Sequence, residues 1–370
     1  MQILTGIISM NMRLTLLGKI ILRTRIMALT KKLKVGVIGL GHWGPNIIRS
    51  LSVNRRCSVQ AVCDIRETTF HNIETLVSPE CRKTLLSREV IESPDIDAVV
   101  IATTPSTHFE LVKQALHAGK HIFCEKPLTL DPKKDQELCD LAKTSNLKLV
   151  VGYTFLFNNS VRKLKELIDN GRMGQLYYLT ATRTHMGLVR EDASVVWDLA
   201  PHDVAIMNYL LDSVPERVSA VGGQPLGLDV PDVAFINLFY PNKILAQIHV
   251  SWVDSNKERL VCVIGSKARA VFNDLDNLEP VRLFEKGIGV SSHVQPDYGE
   301  FKFLLRDGDI ISPKIQQQEP LKMILDSFVR VVLEEGDNMT DGNFARNVSS
   351  AIVAAQKSIE NFGAPQKVEP

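Results

Sequence analysis

The chain has 370 residues, 45% hydrophobic and 23% charged. At roughly 150 residues per domain, that length predicts two domains, and the balance excludes a disordered chain. With 43 Lys and Arg against 42 Asp and Glu, the net charge of +1 gives no global attraction for nucleic acid, and no uncharged apolar run reaches the roughly 18 residues of a membrane span.

Residues 1–32 form an atypical N-terminal extension. They carry Arg13, Lys19, Arg23, Arg25, Lys31 and Lys32, and no acidic residue stands before Asp64. Such a composition fits an organelle transit peptide or a weak amphipathic membrane helix. It also fits translation from an upstream start, with Met12 or Met27 as the true beginning.

The fold signal starts at Lys34. Lys34–Gly39 reads as a short buried strand, followed by Gly39-Leu-Gly41-His42-Trp43-Gly44 and a helix over 45–51 with Pro45 in its first turn. A second strand, 59–63, ends in Asp64. Gly39 permits the tight turn, Gly41 lets a pyrophosphate approach the backbone, and Gly44 lets helix and strand pack closely. His42 and Trp43 belong to the turn through their backbone. The helix amino terminus offers unpaired N–H groups to phosphates. Asp64 lies 20 residues after Gly44, where an acid can accept both adenosine ribose hydroxyls. The pattern predicts a dinucleotide site over 33–151 that takes NAD in preference to NADP, because Asp64 repels a 2′-phosphate. Arg66 works the other way if it reaches the cofactor.

Strands follow at 97–102, 121–124 and 147–151, with helices at 108–118 and 131–144 between them. The alternation predicts an α/β Rossmann domain, a doubly wound parallel sheet. Ligands of such sheets sit beyond the carboxyl ends of the strands. There the sequence places Thr103-Thr104-Pro-Ser-Thr-His108 and Glu125-Lys126-Pro127. A Lys at a strand end can hydrogen-bond an alcohol oxygen that becomes a carbonyl, and desolvation would lower its pKa.

From 152 to 370 the pattern changes to an α+β substrate-binding and oligomerisation domain. A helix is expected over 161–170, then strands at 175–182, 216–223, 232–240, 244–253, 259–264 and 268–273, and a terminal helix near 340–362. Short connections imply a large, open, mainly antiparallel sheet. One face can meet a second subunit, giving a homodimer or homotetramer. A helix around 197–211 carries Asp198 and His202 four apart on one face. An Asp beside a His fixes its tautomer and raises its pKa; the alternative is a helix cap beside a packed His. Arg183 is a candidate for a phosphate or carboxylate of the substrate, or a strand-edge surface Arg. No cysteine pair has Cys-x-x-Cys spacing. The six thiols read as free in a reducing cytoplasm, with no metal site.

Gly39-x-Gly41-x-x-Gly44, Ala102-Thr-Thr-Pro-Ser-Thr-His108 and Ala118-Gly-Lys-His-Ile-Phe-Cys-Glu-Lys-Pro-Leu128 resemble the glucose-fructose oxidoreductase/inositol dehydrogenase/MocA (Gfo/Idh/MocA) family from about residue 33 onward. The resemblance implies NAD-dependent oxidation of a CH–OH group. It implies that Thr103, Thr104 and His108 line the nicotinamide side, and that Glu125 and Lys126 belong to the cofactor site. Lys126 would also touch the reacting hydroxyl, and Asp198 and His202 would stand near the substrate. Gly41-His-Trp-Gly-Pro-Asn46, Thr154-Phe-Leu-Phe-Asn158 and Trp197-Asp-Leu-Ala-Pro-His-Asp203 resemble the branch that oxidises C3 of UDP-N-acetylglucosamine or its uronic acid for cell-surface glycan or lipid A synthesis. On that branch Asn158 becomes a further substrate-binding candidate. An inositol or free-sugar dehydrogenase, a keto-sugar reductase and a non-catalytic NAD-binding sensor are the alternatives.

Overall fold

The computed structural model describes residues 32–187, 189, 193–290 and 303–369. The extension expected at 1–32 lies, Lys32 aside, outside the described residues.

The first unit is built from β1 (Leu33–Ile38), α1 (Gly44–Ser52), β2 (Cys57–Cys63), β3 (Arg82–Thr84), α2 (Ser87–Ile91), β4 (Ala98–Ile101), α3 (Pro105–His117), β5 (His121–Cys124), α4 (Pro132–Thr144) and β6 (Leu149–Val151). Its six strands lie in the order β3-β2-β1-β4-β5-β6, all parallel. Every residue of β4 and β6 is buried, because helices cover both faces of a parallel sheet. This is why these strands read as unbroken apolar runs. Each fully buried Val, Leu or Ile side chain contributes about 1.5–3 kcal/mol. Strand order reverses between β1 and β4, so the crevice beyond their carboxyl ends is the switch point where a dinucleotide binds.

The second unit contains α5 (Asn159–Asp169), β7 (Leu176–Thr184), α6 (Val195–Leu211), β8 (Arg217–Gly223), β9 (Val233–Phe239), β10 (Leu245–Ser251), β11 (Glu258–Gly265), β12 (Arg269–Asn273), β13 (Val281–Phe284), β14 (Gly287–Val290), β15 (Phe303–Arg306) and β16 (Ile310–Ile311). The chain ends with α7 (Pro320–Val332), α8 (Gly342–Glu360) and β17 (Gln366–Lys367). The nine-stranded sheet runs β16-β13-β12-β11-β7-β10-β9-β8-β17. All its pairings are antiparallel except β7 with β10. The alternating burial of β9 shows one covered and one open face; α6 and α8 lie on the covered one.

The last helices return to the first unit. Helix α7 packs on α1, and α8 packs on α4. Asn338 Nδ2 donates to Leu149 O at 2.8 Å, and Val151 N donates to Thr340 O at 2.8 Å. The two units therefore share a brace beside β6. Among the described residues no helix is long and apolar enough to cross a membrane, and no cluster of His, Cys, Asp and Glu could hold a metal.

Candidate active site

The glycine turn is shaped as a phosphate cradle. Gly39 has φ +98°, and a Cβ there would lie 2.5 Å from Ala102 O. A Cβ on Gly44 would strike Gly39 O, whereas one on Gly41 would meet only Arg66 Nη2, at 3.9 Å. The backbone at Gly41 is thus open to a ligand. Helix α1 starts at Gly44 with no side-chain cap and no acid in its first turn. Its first N–H groups and positive dipole end remain available to a pyrophosphate. Trp43 is half-exposed, with the His42 ring edge-on to it at 5.5 Å. These features fit a dinucleotide.

Asp64 closes the turn from the end of β2. Its Oδ2 accepts from Leu40 N at 2.8 Å and its Oδ1 from Arg66 N at 2.9 Å. The carboxylate therefore organises the glycine turn. The Arg66 side chain is 63% exposed and reaches back to Asp64 with Nε at 3.5 Å.

The β4 and β5 loops form the next wall. Thr103 is half-buried and pairs with Thr107 through their hydroxyls at 2.7 Å; Thr104 is exposed at the start of α3. His108 lies beneath both loops, fully buried. Its Nδ1 is 2.9 Å from Pro127 O and its Nε2 3.2 Å from Thr103 O. Burial lowers the pKa of this ring, against the pull of those carbonyls. A neutral ring donates to only one of them, so His108 clamps one loop to the other.

Glu125 is buried at the end of β5, and burial pushes its carboxyl up to about 7 despite the Lys126 charge beside it. Gly152 leaves it room, since a Cβ there would sit 3.0 Å from Glu125 Oε2. Lys126, followed by a cis peptide to Pro127, sends its Nζ across to donate to Asp198 O at 2.8 Å. This contact joins the nucleotide unit to α6.

Helix α6 holds the remaining candidates. The Asp198 carboxylate accepts from Trp252 Nε1 at 3.2 Å, just past β10. The His202 ring meets Phe155 edge-on at 5.1 Å, and its Nδ1 is buried without a hydrogen-bond partner. Burial holds the His202 pKa well below its ordinary value, and the positive Lys126, Arg183 and Arg259 push it further down. The ring is neutral and close enough to feel the Lys126 charge. Arg183, from β7, forms a bidentate pair with Asp203 on α6, Nε and Nη2 donating at 2.8 Å each. Its guanidinium also lies 4.5 Å from the centre of the Phe155 ring.

Comparison with known proteins bears on this arrangement directly. Residues 33–153 match the oxidoreductase family with an NAD-binding Rossmann fold, and residues 161–271 match the GFO/IDH/MocA C-terminal domain. The chain belongs to the Gfo/Idh/MocA family. The uncharacterized oxidoreductase YrbE of Bacillus subtilis is 26% identical over 358 residues, 92% of this chain and 98% of that protein. The myo-inositol 2-dehydrogenase of Thermotoga maritima is 29% identical over 266 residues, 69% of this chain and 79% of that protein. The UDP-N-acetylglucosamine 3-dehydrogenase of Acidithiobacillus ferrooxidans is 23% identical over 341 residues, 89% of this chain and 98% of that protein. A solved structure of an enzyme of that name and organism superposes with a TM-score of 0.75, covering 90% of this chain and 99% of that one. This Gfo/Idh/MocA chain is therefore an NAD-binding dehydrogenase acting on CH–OH donors.

Several expectations need correction. His108 braces the lining of the cofactor crevice and is not part of its surface, because it is wholly buried. Asp198 does not raise the His202 pKa; its carboxylate is turned to Trp252, and burial beside cations depresses the imidazole. Pro201 sits inside α6, which begins at Val195, and not in its first turn. Without an N–H it leaves Trp197 O short of its helical partner, at a cost of about 3 kcal/mol. Arg183 is buried and paired with Asp203, which leaves it little to offer a substrate phosphate. Asn158 caps α5, accepting from Ser160 N at 2.8 Å, and donates to Asp274 at 3.3 Å. Its amide is already used on both sides.

Phe155 and Trp252, which touch His202 and Asp198, had no role in the sequence reading. Phe155 lies within the Thr154–Asn158 motif, so position there was the available signal. Trp252 had none. Cys124 is a fully buried strand residue, and burial raises its thiol pKa well above its usual value.

Proposed function

We propose that the enzyme oxidises a secondary ring hydroxyl of a sugar, C3 of a UDP-N-acetylhexosamine or its uronic acid, with Lys126 and His202 handling the proton. The contact between Lys126 Nζ and Asp198 O carries the reading. It holds a strand-end ammonium from the nucleotide unit against the helix that bears His202.

Lys126 donates a hydrogen bond to the substrate oxygen and stabilises the charge that grows there as the O–H proton leaves. His202, kept neutral by burial and by nearby cations, accepts that proton. When bound, NAD⁺ would supply the acceptor for the hydride of the carbon that bears this oxygen. Thr103 and Thr104 would line the nicotinamide end of the crevice, with His108 fixing their loop. Asp198, held by Trp252, positions the turn of α6 that presents both its own carbonyl and His202.

The C3 assignment is supported by the Trp197–Asp203 and Thr154–Asn158 motifs and by the relative from Acidithiobacillus ferrooxidans, which matches along nearly its whole length. A second reading, oxidation of an inositol, is favoured by the higher identity to the Thermotoga maritima enzyme. The open sheet face supports self-association. It carries Val221, Phe235, Leu245 and Tyr178, all at least 43% exposed, and His249 stacks on Phe235 there. A second copy would cover this apolar row.

The test is NADH formation from NAD⁺ with UDP-N-acetylglucosamine, its uronic acid or myo-inositol. Turnover of either UDP-sugar alone supports the reading. Turnover of myo-inositol alone replaces it with the second.

A further inference from the structure

A second concave site lies on the opposite edge of the nucleotide unit. The turn between α1 and β2, the start of α5 and one face of α7 enclose a cleft of about 460 Å3. The cofactor cradle follows the carboxyl end of β1, whereas Arg55 and Arg56 precede the amino end of β2. The two sites therefore face different edges of the sheet.

The charge of this cleft is one-sided. Five cationic side chains line it, Arg55, Arg56, Arg162, Lys322 and Arg330, against one carboxylate, Asp326. A chain of net charge +1 does not produce that imbalance by composition. Asp326 is already engaged, accepting from Asn54 Nδ2 and from Lys322 Nζ at 2.7 Å each. Arg56 is held at the rim by Glu335, a carboxylate that also feels the Arg330 charge. Arg162 donates from Nε to Leu156 O at 3.1 Å and lies over the Phe157 ring at 5.0 Å, leaving its terminal nitrogens free to bind. The Arg55 and Arg330 side chains make no hydrogen bond or ion pair among the described residues. Like charges crowded around one concavity repel, and a bound anion removes that repulsion.

We propose that this cleft is a binding site for a small soluble polyanion carrying two or more phosphate groups. Four of the five cations are Arg, whose planar fork matches phosphate oxygens in pairs. With Arg56 held by Glu335 and Lys322 by Asp326, the charges of Arg55, Arg162 and Arg330 remain, more than one phosphate of about −2 compensates. The volume lies within the range of small-molecule sites, about 300–1,000 Å3. The cations surround a hollow and do not run along a face, as a nucleic-acid surface requires. The walls come from both units, with Arg55 and Arg56 on one side and Arg162, Lys322 and Arg330 on the other. An occupant ties the units together.

Inorganic pyrophosphate is the probe. It is titrated into the full chain held at saturating NAD⁺, so that the glycine turn is occupied, with sodium chloride of matched ionic strength as control. The expected result is a saturable rise in Tm with pyrophosphate beyond that with chloride. In the double variant Arg55→Gln/Arg330→Gln the half-saturating concentration should rise at least about tenfold, through loss of two charge-assisted contacts, while the Kd for NAD⁺ stays unchanged. Both substituted side chains are exposed, so the variant should fold. No rise beyond the chloride control, or the same half-saturation in the double variant, overturns the proposal.

Discussion

Asp203→Asn should destabilise the enzyme and slow it together. The Arg183 and Asp203 side chains are 6% and 1% exposed, joined by two bonds of 2.8 Å. Burial opposes the guanidinium charge, yet Asp203, by attraction and hydrogen bonding, keeps the Arg183 pKa above its ordinary value. In the variant Arg183 therefore stays charged and loses its counterion. Coulomb attraction at an effective dielectric of 20 is about 4 kcal/mol at 4 Å. Removal of one partner of a buried pair costs about 3–5 kcal/mol by experience, in agreement. The damage extends to the site, because Arg183 also lies over Phe155, whose ring packs edge-on against His202. Urea unfolding should show a loss of about 3 kcal/mol or more, with kcat reduced and the Kd for NAD⁺ unchanged. Arg183→Met/Asp203→Leu should recover most of the stability, since it buries no charge, but not the turnover. A single-variant loss below about 1 kcal/mol, the range of an exposed pair, or a double variant less stable than Asp203→Asn would refute the reasoning.

Three further outcomes follow from the site. Gly44→Ala should abolish NAD⁺ binding in a calorimetric titration, because its methyl group collides with Gly39 O and displaces α1 from β1. Glu125 is a carboxyl whose folded pKa, about 7, exceeds its ordinary value of 4.5. Its protonated form suits the fold, so that contribution is full below 4.5 and is lost as pH rises through about 7, up to about 3 kcal/mol. Glu125→Gln should therefore gain stability relative to wild type between about pH 5 and about pH 8, read as urea midpoints; a constant difference would contradict this. For His202, an NMR titration should find the ring neutral down to well below 6.5. In Lys126→Met its pKa should move up and still stay below 6.5, since burial is the larger cause.

The nucleotide unit was largely legible because its strands are short, wholly buried and separated by helices of clear period. The strand expected at 121–124 matches β5, and the helix expected at 131–144 differs from α4 by one residue. Short pieces without pattern, β3 and α2, escaped notice. Helix α7 was missed although Pro320 marks its first turn and Leu321, Ile324, Leu325 and Phe328 repeat at helical spacing. The site was legible only in part. Lys126 could be placed at a strand end, but its anchor is a main-chain carbonyl 72 residues away, which no side-chain pattern reports. The Arg183–Asp203 pair joins a strand to a helix across 20 residues, and such pairings are settled by packing. The sign of the His202 shift depends on burial and on three cations from distant segments, so the Asp198–His202 spacing alone pointed the wrong way.

The proton chemistry assigned to Lys126 is the centre of the account. The most direct measurement compares NADH formation by wild-type enzyme and Lys126→Ala, on the sugar that the wild type turns over, alongside the Kd for NAD⁺ of each. The account predicts a fall in kcat of about 10²–10⁴ with NAD⁺ affinity retained. Full turnover by Lys126→Ala would contradict it.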